Sequence, residues 1–217
     1  MPTASLDITS YAEIVRRSNG ALSPDDRDGA LTDIEESANR LHQMIDNLLA
    51  FARVGVGQTI DREPQLARRI VDTLVSEHRR QHPHRRVDIV VTAPVTPVLL
   101  HRDYFEQVMR NLLSNAEKYS PANAPIEVRI ERDRHDLIVS VLDRGPGVTE
   151  EEQSQIFEAF YRSQKTARRA KGVGIGLAVC KRLIEAQGGT ITVARREPKG
   201  SSFTLRLPVE DPSEEDV

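Results

Sequence analysis

Two asparagines and a lysine recur at helical spacing between Asn111 and Tyr119. Asn111, Asn115 and Lys118 are four and three residues apart, so on a helix they project from one face. Amide oxygens suit Mg²⁺, and an adjacent ammonium group suits a phosphate that the metal also bridges. A solvated polar helix face has the same pattern and is the commoner use of such residues. The segment by itself leaves both interpretations open.

A carboxylate and two glycines follow a nearly all-apolar segment, residues 137–142. Asp143 comes at the end of this predicted strand, with Gly145 and Gly147 behind it. The carboxylate could accept a hydrogen bond from an exocyclic amine, and the glycines allow a ligand to approach the backbone. An ordinary tight turn explains the pattern equally well.

A second set of glycines, Gly172, Gly174 and Gly176, opens another predicted helix. Backbone N–H groups and the positive helix end favour a phosphate there. The spacing is neither the dinucleotide-binding fingerprint nor a phosphate loop of the GxxxxGK[ST] type. Residues 162–171 carry five basic side chains and no acid, so we expect residues 161–171 to form a mobile lid that orders on polyphosphate.

Four segments together resemble a known family. Residues 111–119, 143–147, 157–162 and 172–179 resemble the N box, first glycine box, F box and second glycine box of bacterial sensor histidine kinases. Residues 188–191 and 200–208 resemble the closing hairpin of that family's ATP-binding domain. Residues 40–53 resemble the second helix of its dimerisation and phosphotransfer hairpin. The resemblance covers nearly the whole chain.

The resemblance implies ATP and Mg²⁺ as ligands. It makes Asn115 the metal ligand, with Asn111 beside the metal and phosphates. Lys118 contacts phosphate and Tyr119 the base. Asp143 accepts the adenine amine. The resemblance also implies two roles for the glycines. Gly145 and Gly147 allow the base to approach the backbone, and the second set lies around the lid and the phosphates: Gly172, Gly174 and Gly176.

Phe157 and Phe160 of the F box have two interpretations. The resemblance implies that they anchor the lid and contact the dimerisation helices. Two ordinary core aromatics would explain them as well.

The chain departs from the family at the phosphoacceptor. The family's histidine lies in a box of the form H-[ED]-x-x-x-P on the first hairpin helix, yet no histidine precedes His42. Counting back from Tyr11 places that histidine at about the first residue or before it. We therefore predict no certain catalytic residue and no autophosphorylation. His42 has no adjacent acid and is expected to be a partly exposed helical residue, not the acceptor.

Two other features could suggest function. His78, His82 and His84 include an i, i+4 pair suited to a metal, but Pro83 interrupts the helix and neighbouring arginines repel a cation. A solvated basic loop is the expected alternative. Cys180 is expected to be a small buried side chain.

The elements that carry these residues form two predicted domains. Apolar residues from Leu31 to Ala52 alternate at three- and four-residue steps, the seam of a packed helix. A similar pattern over residues 4–15 predicts a helical hairpin, residues 1–56, with Ser23 as N-cap and Pro24 at the first helical position. A lone hairpin has too little core, so we expect a homodimer with a four-helix bundle.

The remainder predicts an α/β sandwich of helices on a mixed sheet over residues 57–209, and hence an α+β chain. Strands are expected at 126–131 paired with 137–142, and at 190–194 paired with 203–207. Residues 210–217 read as a solvated acidic tail.

The amino-acid composition limits the classes of partner and the cellular location that we expect for this chain. The 30 Lys and Arg against 33 Asp and Glu give a net charge of −3, which argues against a nucleic-acid binder. A single cysteine and the absence of a signal-peptide pattern indicate a reducing cytoplasmic location. No long apolar run predicts direct membrane contact, although a membrane-anchored parent protein is compatible.

We therefore expect the catalytic core of a histidine kinase that binds Mg-ATP and, in the intact protein, phosphorylates a histidine for relay to a response-regulator receiver domain. The alternative is a catalytically silent dimeric scaffold or a response-regulator phosphatase partner, favoured by the missing histidine. A gyrase-like or chaperone-like ATPase lacks the hairpin and the F box.

Overall fold

A computed structural model describes residues 12–13, 16, 23–53, 60–92, 97–133, 135–163 and 173–209. The chain divides into two compact units, Met1–Ala52 and Arg53–Val217. Most of the predicted first helix, the predicted boundary between residues 56 and 57, and the acidic tail lie outside the described residues. Residues 12, 13 and 16 are helical.

The first unit contains helix α1, Pro24–Arg53, which begins as its sequence predicts. The Ser23 hydroxyl accepts a hydrogen bond from the Asp26 amide at 3.1 Å and donates to the Asp26 carboxylate at 2.7 Å. This satisfies one of the free N–H groups at the helix start. The N-cap at Ser23 is therefore confirmed.

The predicted seam of α1 is not buried within the chain. Leu31, Ile45 and Leu48 are exposed, Ile45 by 53%. Among the side chains of the helix that the structure describes, the buried ones are small or polar and lie at other positions: Ala30, Ser37, Asn47 and Ala50. One chain thus leaves an apolar stripe on α1 open to solvent.

The second unit alternates strands and helices. In chain order it contains β1 (Glu63–Gln65), α2 (Ala67–Gln81), β2 (Val87–Val91), β3 (Val98–Leu100), α3 (Arg102–Tyr119), β4 (Ile126–Arg132), β5 (Asp136–Leu142), α4 (Glu150–Gln155), α5 (Gly176–Glu185), β6 (Thr190–Arg195) and β7 (Ser201–Pro208).

Five strands form one mixed sheet in the order β2-β4-β5-β7-β6. β2 runs parallel to β4, and every other neighbouring pair is antiparallel. Both predicted hairpins, β4 with β5 and β6 with β7, are confirmed. The sequence did not predict β1 and β3, which form a separate antiparallel pair, because strands of three residues are too short to show a periodic pattern.

The core lies on one face of this sheet. In β4 the residues Ile126, Val128 and Ile130 are buried, whereas the alternate Glu127 and Arg129 are half-buried on the other face. Helix α2 contacts β2, α3 contacts β5, and α5 contacts β6. The predicted α+β architecture, with helices layered on a mixed sheet, is confirmed. Among the described residues no helix is both long enough and apolar enough to cross a membrane.

Candidate functional site

The N-box residues lie on the last three turns of α3 at graded depth. Asn111 is buried, Asn115 is half-buried and Lys118 is exposed. The Lys118 ammonium lies 5.3 Å from the centroid of the Tyr119 ring. The helix therefore presents a series of polar groups that runs from the core to the surface, a gradient of depth that the spacing alone does not predict.

The most deeply buried of these residues faces α5. Burial raises the pKa of the Cys180 thiol to about 12, and a hydrogen bond with the Asn111 side chain opposes this only in part. Cys180 is fully buried, as predicted. The contact joins the N-box helix to the helix that starts at the second glycine box.

Asp143 follows β5 directly and is only 4% exposed. Its Oδ1 accepts hydrogen bonds from the backbone N–H groups of Gly145, at 2.7 Å, and Ser201, at 3.1 Å. Burial raises the pKa of this carboxyl above its ordinary value, and the two backbone hydrogen bonds counteract part of that shift. A buried, firmly oriented carboxylate of this kind is suited to recognise a hydrogen-bond donor.

Gly145 brings the end of α3 against the end of β5. A Cβ at this position would lie 2.9 Å from the Tyr119 carbonyl oxygen and 3.0 Å from Asp143 Oδ1. The Arg144 amide also donates to the Ser120 hydroxyl at 3.2 Å. The structure therefore brings the N box and the first glycine box together.

Contacts within the protein are sufficient to explain both glycines of the first box. Gly147 has a φ of +78°, and a Cβ there would lie 2.9 Å from the Gly200 carbonyl oxygen. At Gly145 the Tyr119 carbonyl leaves no room for a side chain. The approach of a base to these glycines remains a prediction.

The F box meets the second glycine box at the two ends of the predicted lid. The Phe160 amide donates to the Gly174 carbonyl at 2.9 Å, and Phe160 itself has a φ of +69°. Gly174 has a φ of +79°, and a Cβ there would lie 2.6 Å from the Tyr161 carbonyl oxygen. Gly176 is the first residue of α5. Gly172 and residues 164–171 of the lid lie outside the described residues.

Phe160 is 64% exposed and Phe157 is half-buried. The interpretation of both as ordinary core aromatics is therefore wrong for Phe160. A positive φ is unfavourable for a residue with a Cβ, so the conformation of Phe160 is imposed by its surroundings.

The expected solvated basic loop is also wrong in part. His82, His84 and Arg86 are exposed, but His78 and Arg85 are buried beside Glu117. No sequence signal distinguishes these two basic residues from their exposed neighbours, since their acidic partner, the half-buried Glu117, lies 32 residues after Arg85. Among the described residues no group of three or more His, Cys, Asp or Glu is arranged to hold a metal. The side chain of His42 lies outside what the structure describes.

Comparison with known proteins agrees with this arrangement. Residues 101–211 match the family model described as "Histidine kinase-, DNA gyrase B-, and HSP90-like ATPase". The sensor protein KdpD of Clostridium acetobutylicum is 31% identical over 195 residues, which cover 88% of this chain and 22% of that protein. The sensor-like histidine kinase SenX3 of Mycobacterium tuberculosis is 34% identical over 177 residues, 79% of this chain and 42% of that protein.

Solved structures have the same fold. The mycobacterial sensor histidine kinase MprB is 27% identical, with a TM-score of 0.61 over 68% of this chain and 97% of that one. ThkA in complex with the response regulator protein TrrA has a TM-score of 0.67 over 95% of this chain and 58% of that one, at 20% identity. This chain spans less than half the length of the two curated relatives. It belongs to the histidine kinase-, DNA gyrase B- and HSP90-like ATPase family and corresponds to the catalytic core of a two-component sensor histidine kinase.

Proposed function

We propose that residues 57–209 bind ATP with Mg²⁺ between the end of α3 and the segments that follow β5 and precede α5. The observation that carries this proposal is the close packing of Gly145 on the Tyr119 carbonyl. It brings Asp143, a buried hydrogen-bond acceptor, to the helix end that bears Asn115 and Lys118. The residue that recognises the base and the residues that contact the metal and the phosphates therefore lie at one site.

Within this site each residue has one role. Asp143 accepts the adenine amine and Tyr119 lies against the base. Lys118 contacts phosphate, and Asn115 is the metal ligand. Asn111 is buried and hydrogen-bonded to Cys180, so it lies beside the metal and phosphates on the side that faces the protein core. The glycines of the second box, Gly172, Gly174 and Gly176, frame the phosphates and the lid.

The residues fit Mg²⁺. Asn115 offers a neutral amide oxygen, a hard ligand, from a half-buried position, and Mg²⁺ is usually held by few protein ligands together with phosphates and water. When bound, the ion neutralises phosphate charge. The protein's own groups then bind and orient the nucleotide.

In the intact protein the γ-phosphoryl group passes to a histidine and then to a response-regulator receiver domain. The structure of ThkA with the response regulator TrrA supports such a partner by analogy. The hairpin, residues 1–56, forms the homodimer, because α1 leaves Leu31, Ile45 and Leu48 exposed. Phe157 and Phe160 anchor the lid.

Residues 1–217 by themselves are expected not to label themselves with phosphate, since in-line transfer needs a nucleophile about 3–3.5 Å from phosphorus and no histidine precedes His42. The second candidate function is a silent scaffold or a response-regulator phosphatase partner. Incubation with γ-labelled ATP tests this expectation: acid-labile label would contradict it, and His42 would be the first residue to mutate.

The binding proposal is tested by titrating a fluorescent ATP analogue with and without Mg²⁺. Asn115→Ala should remove most of the Mg²⁺-dependent gain in affinity, because an amide oxygen is lost from the metal shell. Asn123→Ala, at an exposed position in the turn after α3, is the matched control. Equal Mg²⁺ dependence in Asn115→Ala and the control would eliminate the metal role of Asn115.

A further inference from the structure

A partly buried ion pair joins the turn after α2 to Glu117 of the N box. Arg85 Nε is 2.8 Å from Glu117 Oε2, and Arg85 Nη2 is 2.8 Å from Glu117 Oε1. His78 Nε2 lies 3.2 Å from the same Oε2. The side chain of Arg85 is 3% exposed and that of His78 is 8% exposed. We call these three residues the Arg85 cluster.

Arg85 uses its remaining donors on the backbone. Nη1 donates to the carbonyl oxygens of Pro121, at 2.6 Å, and Ala124, at 2.7 Å, while Nη2 also reaches the Glu117 carbonyl at 3.3 Å. A guanidinium has five N–H groups in a fixed planar arrangement. All five therefore have acceptors in the last turn of α3 or in the turn that follows it.

One of these acceptors, the Glu117 carbonyl, is a group that a helix end leaves unsatisfied. The last carbonyls of a helix have no intrahelical partner, and a cation is favoured at this end of the helix dipole. Arg85 meets both requirements from a segment outside the helix, the turn after α2. The Arg85 amide itself donates to the His82 carbonyl at 2.9 Å, which fixes that segment in turn.

The Arg85 cluster contacts the helical turn of α3 that carries Asn115 and Lys118, on the side away from Asn115. Glu117 lies two residues after Asn115, a rotation of about 200° around the helix axis. Lys118 follows Glu117 directly. The planar guanidinium of Arg85 is hydrogen-bonded to both the side chain and the carbonyl of Glu117. It therefore restricts the rotation of this helical turn and its shift along the helix axis. Arg85 itself stays out of reach of a ligand on the Asn115 face.

We propose that Arg85, acting through Glu117 with His78, is a positioning residue for the metal and phosphate end of the nucleotide site. This inference rests on the ATP site proposed above. It predicts a specific signature: loosening the cluster displaces Asn115 and Lys118 more than Asp143, whose carboxylate is held by its own hydrogen bonds from the Gly145 and Ser201 amides. Affinity for the polyphosphate should fall while affinity for the adenosine part is kept.

The test compares Arg85→Lys, which keeps the charge and loses the planar fork, with Arg110→Lys. Arg110 also joins α3 to α2, through Glu77 at 2.6 Å, but this pair is partly exposed. Binding of Mg-ATP and of AMP is measured by competition against a fluorescent nucleotide, and urea unfolding defines conditions in which each variant is folded.

We expect Arg85→Lys to weaken Mg-ATP binding by roughly tenfold or more, since small displacements of ligating groups have effects of this size, and to change AMP affinity by less than about twofold. Arg110→Lys should match the wild type. Equal weakening for both nucleotides, or none, would overturn the positioning role. If Arg85→Lys does not fold, Glu117→Gln, which keeps the side-chain shape, decides by the same comparison. A wild-type chain that binds no ATP would instead reject the proposed function.

Discussion

The carboxylate of Asp143 is almost fully enclosed at the end of β5, where burial raises its pKa. A carboxyl group of raised pKa contributes stability below its unfolded value, 3.8, and loses it as the pH rises through the folded pKa. At neutral pH the charged group therefore lowers the stability of the folded chain. A buried charge that the fold does not need is typical of a binding residue.

Asp143→Asn should accordingly keep or raise the free energy of unfolding at neutral pH, because its amide oxygen can still accept from Gly145 and Ser201. It should weaken ATP binding by about tenfold, the loss of one hydrogen bond to a charged group, and affect GTP less. Urea unfolding and nucleotide titration check the two halves. Equal losses for ATP and GTP would contradict the adenine assignment.

His78 should make stability depend on pH. Burial, and then the nearby His82, lower its pKa below 6.5, while Glu117 opposes the shift and Arg85 reinforces it. A group of lowered pKa contributes stability above its unfolded value that is lost as the pH falls through the folded pKa. The free energy of unfolding should therefore drop on acidification from above to below 6.5.

His78→Gln should flatten this drop, and His84→Gln, at an exposed position, should not. Urea unfolding at a series of pH values measures both slopes. Parallel slopes for wild type and His78→Gln would show that His78 does not contribute.

At the scale of elements, the segment that leads into α5 is held to the F box by close backbone contacts at Gly174. Gly174 and Gly188 have nearly the same φ, +79° and +77°, yet their surroundings differ. A Cβ at Gly174 would lie 2.6 Å from the Tyr161 carbonyl, whereas at Gly188 the nearest atom, on the Pro208 side chain, is 3.7 Å away. A comparison of substitutions at these two glycines therefore distinguishes the cost of backbone strain from the cost of steric contact.

Gly188→Ala should cost about 1–2 kcal/mol, the strain of a left-handed residue. Gly174→Ala should cost more, because the Phe160–Tyr161 backbone must also move, and it should weaken ATP binding if this contact forms the base of the lid. Unfolding curves and nucleotide titration of the two variants measure the difference. Equal destabilisation would show that the close approach at Gly174 is easily relieved.

At the scale of the whole molecule, the exposed stripe on α1 should be covered by a second copy. Ile45→Asp places a charge in this stripe and should yield monomers, because burying an unpaired charge costs several kcal/mol, comparable with the stability of a small bundle. Val90→Asp, at an exposed apolar position in β2, is the control and should leave the assembly unchanged. Light scattering reports the mass of each variant. A dimer that persists in Ile45→Asp would contradict the proposal that this stripe forms the dimer interface.

Local pattern alone determined much of this protein. Alternating apolar residues defined β4, β6 and β7, and a nearly all-apolar segment defined β5. The cap at Ser23 defined the start of α1. These signals depend on residues close in sequence. The two hairpins followed from short polar connections. The spacing of Asn111, Asn115 and Lys118 on one helix was likewise readable, and the four boxes in order indicated the family.

Only the tertiary structure decided which residues meet across long separations. It paired Arg85 with Glu117, 32 residues apart, and buried both Arg85 and His78 among basic neighbours that stay exposed. It also showed that Gly145 is required by the Tyr119 carbonyl, and that the seam of α1 remains open in one chain. Burial and charge pairing depend on which elements pack together, and no periodicity within a single element specifies that choice.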